Sequence, residues 1–295
     1  MMTSVERRLA AVETRCENNL IRAIRSEDYA LIAGLLEPWE SGSNQRLYSP
    51  GQNVDMVYFP CGPSLVSFLV VNEDGRNVET LLVGREGAVG GIVSQGNLPA
   101  YAEIVVQFGG PFVRMKLADL AVAQDKSPSL RALFARYADC LLAQIFQSNS
   151  CNAIHSIEQR TAKWILSAME RTGEDHVPLT QDKLAAMLGV GRTYTSKVLN
   201  SFKRENILEP RRGALFIKNP EALKTKSCLC NDAVKAHFET VLKGVYPTEE
   251  NGALQTLRSP RIESIPSQNR FTTIPWNESG SGTLPRKRAF TPRVA

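Results

Sequence analysis

Apolar positions along this chain change period twice, which divides it into a helical start, a β-rich middle and a helical second half. Between residues 4 and 37, Leu9, Val12, Leu20, Ile24, Tyr29, Leu31, Ile32, Leu35 and Leu36 recur at helical spacing, and Pro38 closes the segment. From Leu47 to Met115 the apolar residues gather into short runs between turn residues. These are Leu47-Tyr48 before Pro50-Gly51, Val57-Tyr58-Phe59, Leu65 to Val71, Asn77 to Val83 and Glu103 to Phe108, with Asn-Glu-Asp-Gly at 72–75 as a hairpin turn. Many short strands with no long helix between them predict an antiparallel roll or jelly roll. From Ser129 to about Cys151 the period is helical again. Leu130, Phe134, Tyr137, Leu141 and Ile145 form one stripe, and Leu133, Leu142 and Phe146 widen it. A helix apolar on more than one side must bury each of them. One side suits the roll and the other a second copy of the chain, although Gln144 and Ser148 interrupt the seam and a wholly intramolecular core helix is the alternative.

A further helix begins at His155 and runs to about Met169, with Ile157, Ala162, Trp164, Ile165 and Leu166 apolar, and leads through Gly173 into the most informative stretch. There Thr180 is an N-cap, Leu184, Met187 and Leu188 share one face of a short helix, and Gly189 ends it. A second helix over Arg192 to Arg204 buries Thr195, Val198, Leu199 and Phe202, leaving Arg192, Thr193, Ser196, Lys197 and Asn200 on the opposite side. Short donors and acceptors with long cations beside them are what a helix in a DNA major groove requires. Pro210-Arg211-Arg212-Gly213 reads as the turn of a wing whose second strand is Ala214 to Ile217. From Pro178 to Lys218 there are eight Lys/Arg against three acids, a local positive excess suited to phosphate. A solvated basic face on a protein-binding module is the plainer alternative. Ala233 to Leu242 makes one more short amphipathic helix.

Composition changes this picture little. The 295 residues, 43% hydrophobic and 22% charged, are ordinary for about two globular domains. The net charge of +5 belongs to the segment from Arg258 onward, which has seven Lys/Arg and two acids; residues 1–257 balance at 28 against 28. Global charge therefore says nothing about DNA, whereas the local excess in the wing unit does. The longest apolar run, Leu65 to Val71, is too short to span a membrane and no signal-like region stands at the N-terminus, so a cytoplasmic protein with no membrane contact is expected. Six scattered cysteines (Cys16, Cys61, Cys140, Cys151, Cys228, Cys230) suggest reduced buried thiols. Cys228-Leu229-Cys230 with His237 could supply three zinc ligands, but such residues at a helix edge are more often simply buried, so no metal site is expected. The three histidines (His155, His176, His237) lie outside the roll and no hydrolase or phosphate-loop motif occurs, so no catalytic residues are expected and the chain is read as a non-enzyme.

Five motifs add a resemblance to these readings: Pro50-Gly51-Gln52, Val57-Tyr58-Phe59-Pro60, Val83-Gly84-Arg85-Glu86-Gly87, His155-Ser156-Ile157-Glu158-Gln159-Arg160, and Leu179 to Val190 followed by Arg192. With roll, long helix and winged unit in that order, residues 28–225 resemble the CRP/FNR-type family of bacterial transcription regulators. His237-Phe238-Glu239 to Gly244-Val245-Tyr246-Pro247 is similar to the ending of a subgroup from soil and plant-associated bacteria. The resemblance implies an α+β fold: a cyclic-nucleotide-binding-like β-roll (double-stranded β-helix or jelly roll), a long dimerisation helix and a C-terminal winged helix-turn-helix. On that basis the chain divides into an N-terminal helical segment (1–27), the β-roll sensor (28–128), the dimerisation helix (129–152), the DNA-binding unit (153–226), a short helix (227–247) and a basic tail (248–295) expected to be disordered.

What the resemblance implies about function is a homodimer on a two-fold symmetric operator, with RNA polymerase a further candidate partner and an unidentified small-molecule effector for the roll. Dimerisation falls to Leu130, Phe134, Tyr137, Leu141 and Ile145. Arg192 and Lys197 match base-reading positions; Thr193 stands where many members have Glu, so the family's usual half-site need not apply. Thr180, Gln181 and Tyr194 match backbone-contacting positions, with Ser196, Asn200, Arg211 and Arg212 completing the surface. The family's nucleotide receptors use a Gly-Glu pair and a later Arg-Ser/Thr-Ala, where this chain has Gly90-Gly91 and Ala100-Tyr101-Ala102, Tyr101 filling the space. No Lys, Arg or His occurs between Arg85 and Arg114, so control by cyclic AMP is not expected, although amides around Gly87, Gly90 and Gly91 could hold an anion weakly. An iron–sulfur cluster lacks its cysteines, and no cofactor is expected. The competing function is a small-molecule-sensing signalling or scaffold protein whose winged unit binds protein.

Overall fold

A computed structural model describes residues 17–73, 75, 77–91, 98–243 and 245, all within one compact unit, Met1–Thr256. The expected tail (248–295), most of the N-terminal helical segment, Cys16 and Asp74 of the hairpin turn lie outside the described residues.

The roll is two antiparallel sheets. One has the order β1 (Glu37–Ser41), β7 (Gly110–Lys116), β3 (Met56–Pro60); the other has the order β2 (Arg46–Tyr48), β6 (Glu103–Phe108), β4 (Leu65–Val71), β5 (Asn77–Val83). Where a continuous helix is expected up to residue 37, the described residues form two short helices, α1 (Asn19–Arg22) and α2 (Ser26–Ile32), followed by a 3₁₀ turn and strand β1. Tertiary packing decides this: Trp39 packs at a tilt against Tyr58 and edge-on against Phe112, with ring centroids 5.1 and 5.4 Å away. Pro38 is tolerated because β1 is an edge strand. No sequence signal marked α3 (Leu117–Lys126), which follows β7 without a turn residue and buries Leu117, Leu120 and Ala123.

Helix α4 (Pro128–Ile154) starts at Ser127, whose hydroxyl accepts from the Leu130 amide, with Pro128 in the first turn. Helix α5 (Ile157–Thr172) opens on a capping box between Ser156 and Gln159 and closes at Gly173 in the left-handed region, φ 76°. Then come β8 (His176–Val177), α6 (Gln181–Met187), α7 (Arg192–Arg204), β9 (Leu208–Arg211), β10 (Ala214–Ile217), α8 (Pro220–Lys226) and α9 (Cys230–Val241). Strands β8, β10 and β9 form a three-stranded wing. Its turn is tighter than expected: Arg212-Gly213 makes it, with Gly213 at φ 80°, while Pro210 lies in the strand opposite Leu215.

Two apolar clusters organise the unit. The first fills the roll and takes in Leu130, Phe134 and Tyr137 of α4 together with Val234, Phe238 and Leu242 at the C-terminal end of the chain's described part. The second joins Trp164, Ile165, Leu199 and Phe202 of the helical module to Leu65, Leu82 and Phe108 of the roll. Among the described residues no helix is long and apolar enough to cross a membrane. Cys140, Cys151, Cys228 and Cys230 are free and buried, while Cys61 is disulfide-bonded, against the expectation of reduced cysteines.

The stripe expected to serve dimerisation divides into two parts within the protomer. Leu130, Phe134 and Tyr137 are buried inside the protomer, and Leu141 and Ile145 are half-buried against the roll. The reason is α9, whose apolar face covers α4 in cis; the Tyr137 and Phe238 rings lie 6.5 Å apart. The large apolar side chains that α4 leaves exposed are Leu142 and Phe146, 50% and 67% accessible, and Ile154 at its end, 74% accessible.

Candidate nucleic-acid interface

Helix α7 forms because its buried residues, Thr195, Leu199 and Phe202, fall on one side, against Leu184 and Leu188. The other side faces solvent. Arg192, Thr193, Tyr194, Lys197 and Asn200 are exposed, and Ser196 is half-buried because its hydroxyl donates to Gln181 Oε1 at 2.9 Å. Thr180 caps α6 by accepting from the Lys183 amide, 3.2 Å, so it and Gln181 sit at the N-terminal end of the first helix of the pair. Arg192 Nε pairs with Asp182 Oδ1 at 3.1 Å; both are well exposed, so the pair contributes little and can open toward a ligand. The Lys197 ammonium lies over the Tyr194 ring at 5.9 Å. On the wing, the Arg211 guanidinium stacks on Phe216 at 4.4 Å, and Arg212 projects at the turn. Glu209 lies between Arg211 and Lys218, and the Lys218 ammonium holds its carboxyl below the usual carboxylate range. All ten residues expected to meet DNA therefore lie on α7, the start of α6 and the wing.

This module is tied to the roll. Arg171 of α5 pairs with Glu86 at 2.8 Å with both side chains nearly dry, 1% and 2% accessible. Glu86 also accepts from the Gly84 amide at 3.1 Å. Next to it, Tyr137 of α4 accepts from the Ala88 amide at 2.9 Å and donates to the Ala88 carbonyl at 3.1 Å. Burial pushes the Tyr137 phenol far up, so its hydroxyl stays a donor. A Cβ on Gly87 would meet Tyr137 Oη at 2.0 Å, which is why glycine stands there. The segment 84–88 thus touches both α4 and α5, a connection that no sequence motif made visible.

The roll also encloses a cavity of ≈ 580 Å³ against α4, lined by Phe68, Leu81, Ala88, Ile104, Leu141 and Ile145 among others. Among the described residues its lining has no charged side chain. Contrary to expectation, Tyr101 does not fill the space; it is 87% accessible at the rim. Of the glycine amides that could hold an anion, that of Gly87 is engaged with the Gly84 carbonyl, and the neighbouring Ala88 and Val89 amides donate to Tyr137 and to the Tyr58 carbonyl.

His237 and the cysteine pair are not brought together. His237 Nε2 meets Asp139 at 2.9 Å, whereas Cys228 and Cys230 lie beside Cys151 and His155 at the end of α4. The i, i+4 spacing of Cys151 and His155 was the sequence signal that could have found that grouping.

Residues 159–226 match the family model of the Crp-like helix-turn-helix domain, so the chain carries such a domain. Among solved structures it is similar to FixK2 from Bradyrhizobium japonicum, at 15% identity over 65% of this chain and 98% of that one, TM-score 0.54. It is also similar to the c-di-GMP-responsive global regulator CLP of Xanthomonas campestris, at 13% over 65% and 99%, TM-score 0.54. A third likeness is to TTHA1359, a CRP/FNR-family transcriptional regulator from Thermus thermophilus, at 20% over 65% and 98%, TM-score 0.53. No curated protein matches the chain in sequence. The α+β fold is thus that of CRP/FNR-type regulators, and the resemblance read from the motifs holds for the fold and for the helix-turn-helix module.

Proposed function

We propose that this protein is a sequence-specific, DNA-binding transcription regulator that acts as a homodimer on a two-fold symmetric operator. The observation that carries the reading is the exposed polar face of α7 beside a basic wing, within a Crp-like helix-turn-helix domain. Arg192 and Lys197 reach base edges, Thr193, Ser196 and Asn200 refine the choice, and Thr180, Gln181, Tyr194, Arg211 and Arg212 hold the phosphates. The dimer forms along α4 through Leu142 and Phe146, large apolar residues that the protomer leaves exposed in the middle of the helix. The effector of the roll is an uncharged, apolar molecule: a cyclic phosphate entering the cavity would shed water without meeting a charged side chain among the described lining residues. Isothermal titration with cyclic AMP should show no micromolar binding.

Sequencing of fragments bound by the full-length protein, followed by titration on the enriched site, tests the whole reading. A palindromic motif bound far more tightly than random DNA, with affinity that falls steeply with salt, is the expected result. Absence of an enriched motif would favour a scaffold whose winged unit binds protein.

A further inference from the structure

Four potential metal ligands meet where the long helix ends. Cys151 lies in the last turn of α4, His155 caps that helix one turn later, and Cys228 and Cys230 flank the start of α9. Their ligand atoms, three Sγ and His155 Nδ1, all lie within 4.8 Å of one another. Cys151 Sγ and Cys228 Sγ are 3.7 Å apart, and Cys230 Sγ and His155 Nδ1 are 3.4 Å apart. A tetrahedral zinc ion with bonds of about 2.3 Å to sulfur and 2.0–2.1 Å to nitrogen sets its ligands about 3.8 Å (S to S) and 3.5 Å (S to N) apart. The three cysteines form an apolar cluster of their own, separate from both main cores, so packing alone does not account for their convergence from two segments far apart in sequence.

We propose that Cys151, His155, Cys228 and Cys230 form a tetrahedral Cys₃His zinc site. Zinc binding replaces three thiol protons, which leave to solvent, and the imidazole binds as the neutral base through Nδ1. The resulting centre carries one net negative charge. Arg160 and Lys163 of α5 lie within electrostatic reach of Cys151 and suit that charge, and the Gln147 amide donates to Cys230 Sγ at 3.1 Å, the kind of N–H···S contact that surrounds bound thiolates. Three thiolates favour zinc over magnesium or calcium, and the closed set of four protein ligands makes the site structural, with no open position for substrate. Its effect is to clip the start of α9 to the end of α4, next to the Ser156 cap where the DNA-binding module begins. The inference rests on these four residues and stands whether or not the protein binds DNA.

The test uses full-length protein without a histidine tag, produced in zinc-supplemented medium and passed through gel filtration. Elemental analysis should find about one zinc per chain in the wild type and less than about a tenth in Cys151→Ser and Cys228→Ser, while Cys140→Ser, away from the cluster, keeps its zinc. Should the two serine variants fail to fold, the wild type and His155→Gln decide. Wild-type apoprotein titrated with Co²⁺ should develop the intense visible bands and the sulfur-to-cobalt charge transfer of a tetrahedral thiolate site. His155→Gln should release zinc to a chromophoric chelator at least about tenfold faster. Zinc below about a tenth per chain, weak octahedral cobalt bands, or a Cys151–Cys228 disulfide in the peptide map of protein purified from zinc-supplemented cells would each overturn the site.

Discussion

Arg192 and Lys197 stand on the exposed side of a helix whose other side is fully buried, so truncating them removes contacts without unfolding the module. Alanine at either position should cost about 1–3 kcal/mol on the preferred operator and much less on random DNA, measured by fluorescence anisotropy. Equal losses on both would demote the residue to a phosphate contact. Arg211 and Arg212 should behave in the opposite way, weakening all sequences alike and flattening the salt dependence. A different kind of residue effect is stored in the Arg171–Glu86 pair, which has almost no solvent to screen it. Arg171→Met alone leaves a buried carboxylate without its cation and should lower unfolding stability by about 3–5 kcal/mol. Glu86→Leu together with Arg171→Met should restore much of that in urea unfolding. If the double variant is as unstable as the sum of the singles, the pair is not the unit that matters.

Helix α4 shows how an element can be found in a sequence while the partners of its faces stay hidden. Its existence follows from the apolar period and the Ser127-Pro128 start, and the wing and α7 were equally legible because local period, turn residues and charge agree there. Which side of α4 is free could not be read, because α9 follows about 75 residues later and covers Phe134 and Tyr137 by tertiary packing alone. The same limit hid β1, whose Trp39 is held by rings from two other strands, and the cluster of Cys151 and His155 with Cys228 and Cys230. The exposed part of α4 makes its own prediction. Leu142→Asp with Phe146→Asp should give a folded monomer with reduced operator affinity, whereas Phe134→Asp should damage folding itself, since Phe134 lies inside the protomer. Sedimentation with circular dichroism separates the two; a dimer persisting in the Leu142/Phe146 variant would move the interface elsewhere.

At the scale of the whole molecule, roll and helix-turn-helix module share a contact built on a titrating group. Glu79 of β5 accepts from Trp164 Nε1 of α5 at 2.6 Å and from the Ser67 hydroxyl, and Lys163, Arg171 and Lys183 are the cations that face it. Burial outweighs these partners and pushes the carboxyl up to about 7 from 4.5. For an acid whose folded value lies above its unfolded value, the folded state holds the extra proton. Its contribution therefore weakens as pH rises from 4.5 to about 7 and is constant above that. The same reasoning applies to docking, because parting the module from the roll would return Glu79 to water and let it ionise. Between pH 4.5 and about 7 the contact should therefore loosen. Glu79→Gln removes the titration while keeping an acceptor for Trp164 and Ser67. Urea unfolding at several pH values should then show a wild-type loss of stability toward pH 8 that the variant lacks, and Trp164 fluorescence should report the same difference in the native state. Parallel pH profiles for the two proteins would mean that Glu79 is ionised in the docked state and that its hydrogen bonds, together with the surrounding cations, overcome its burial.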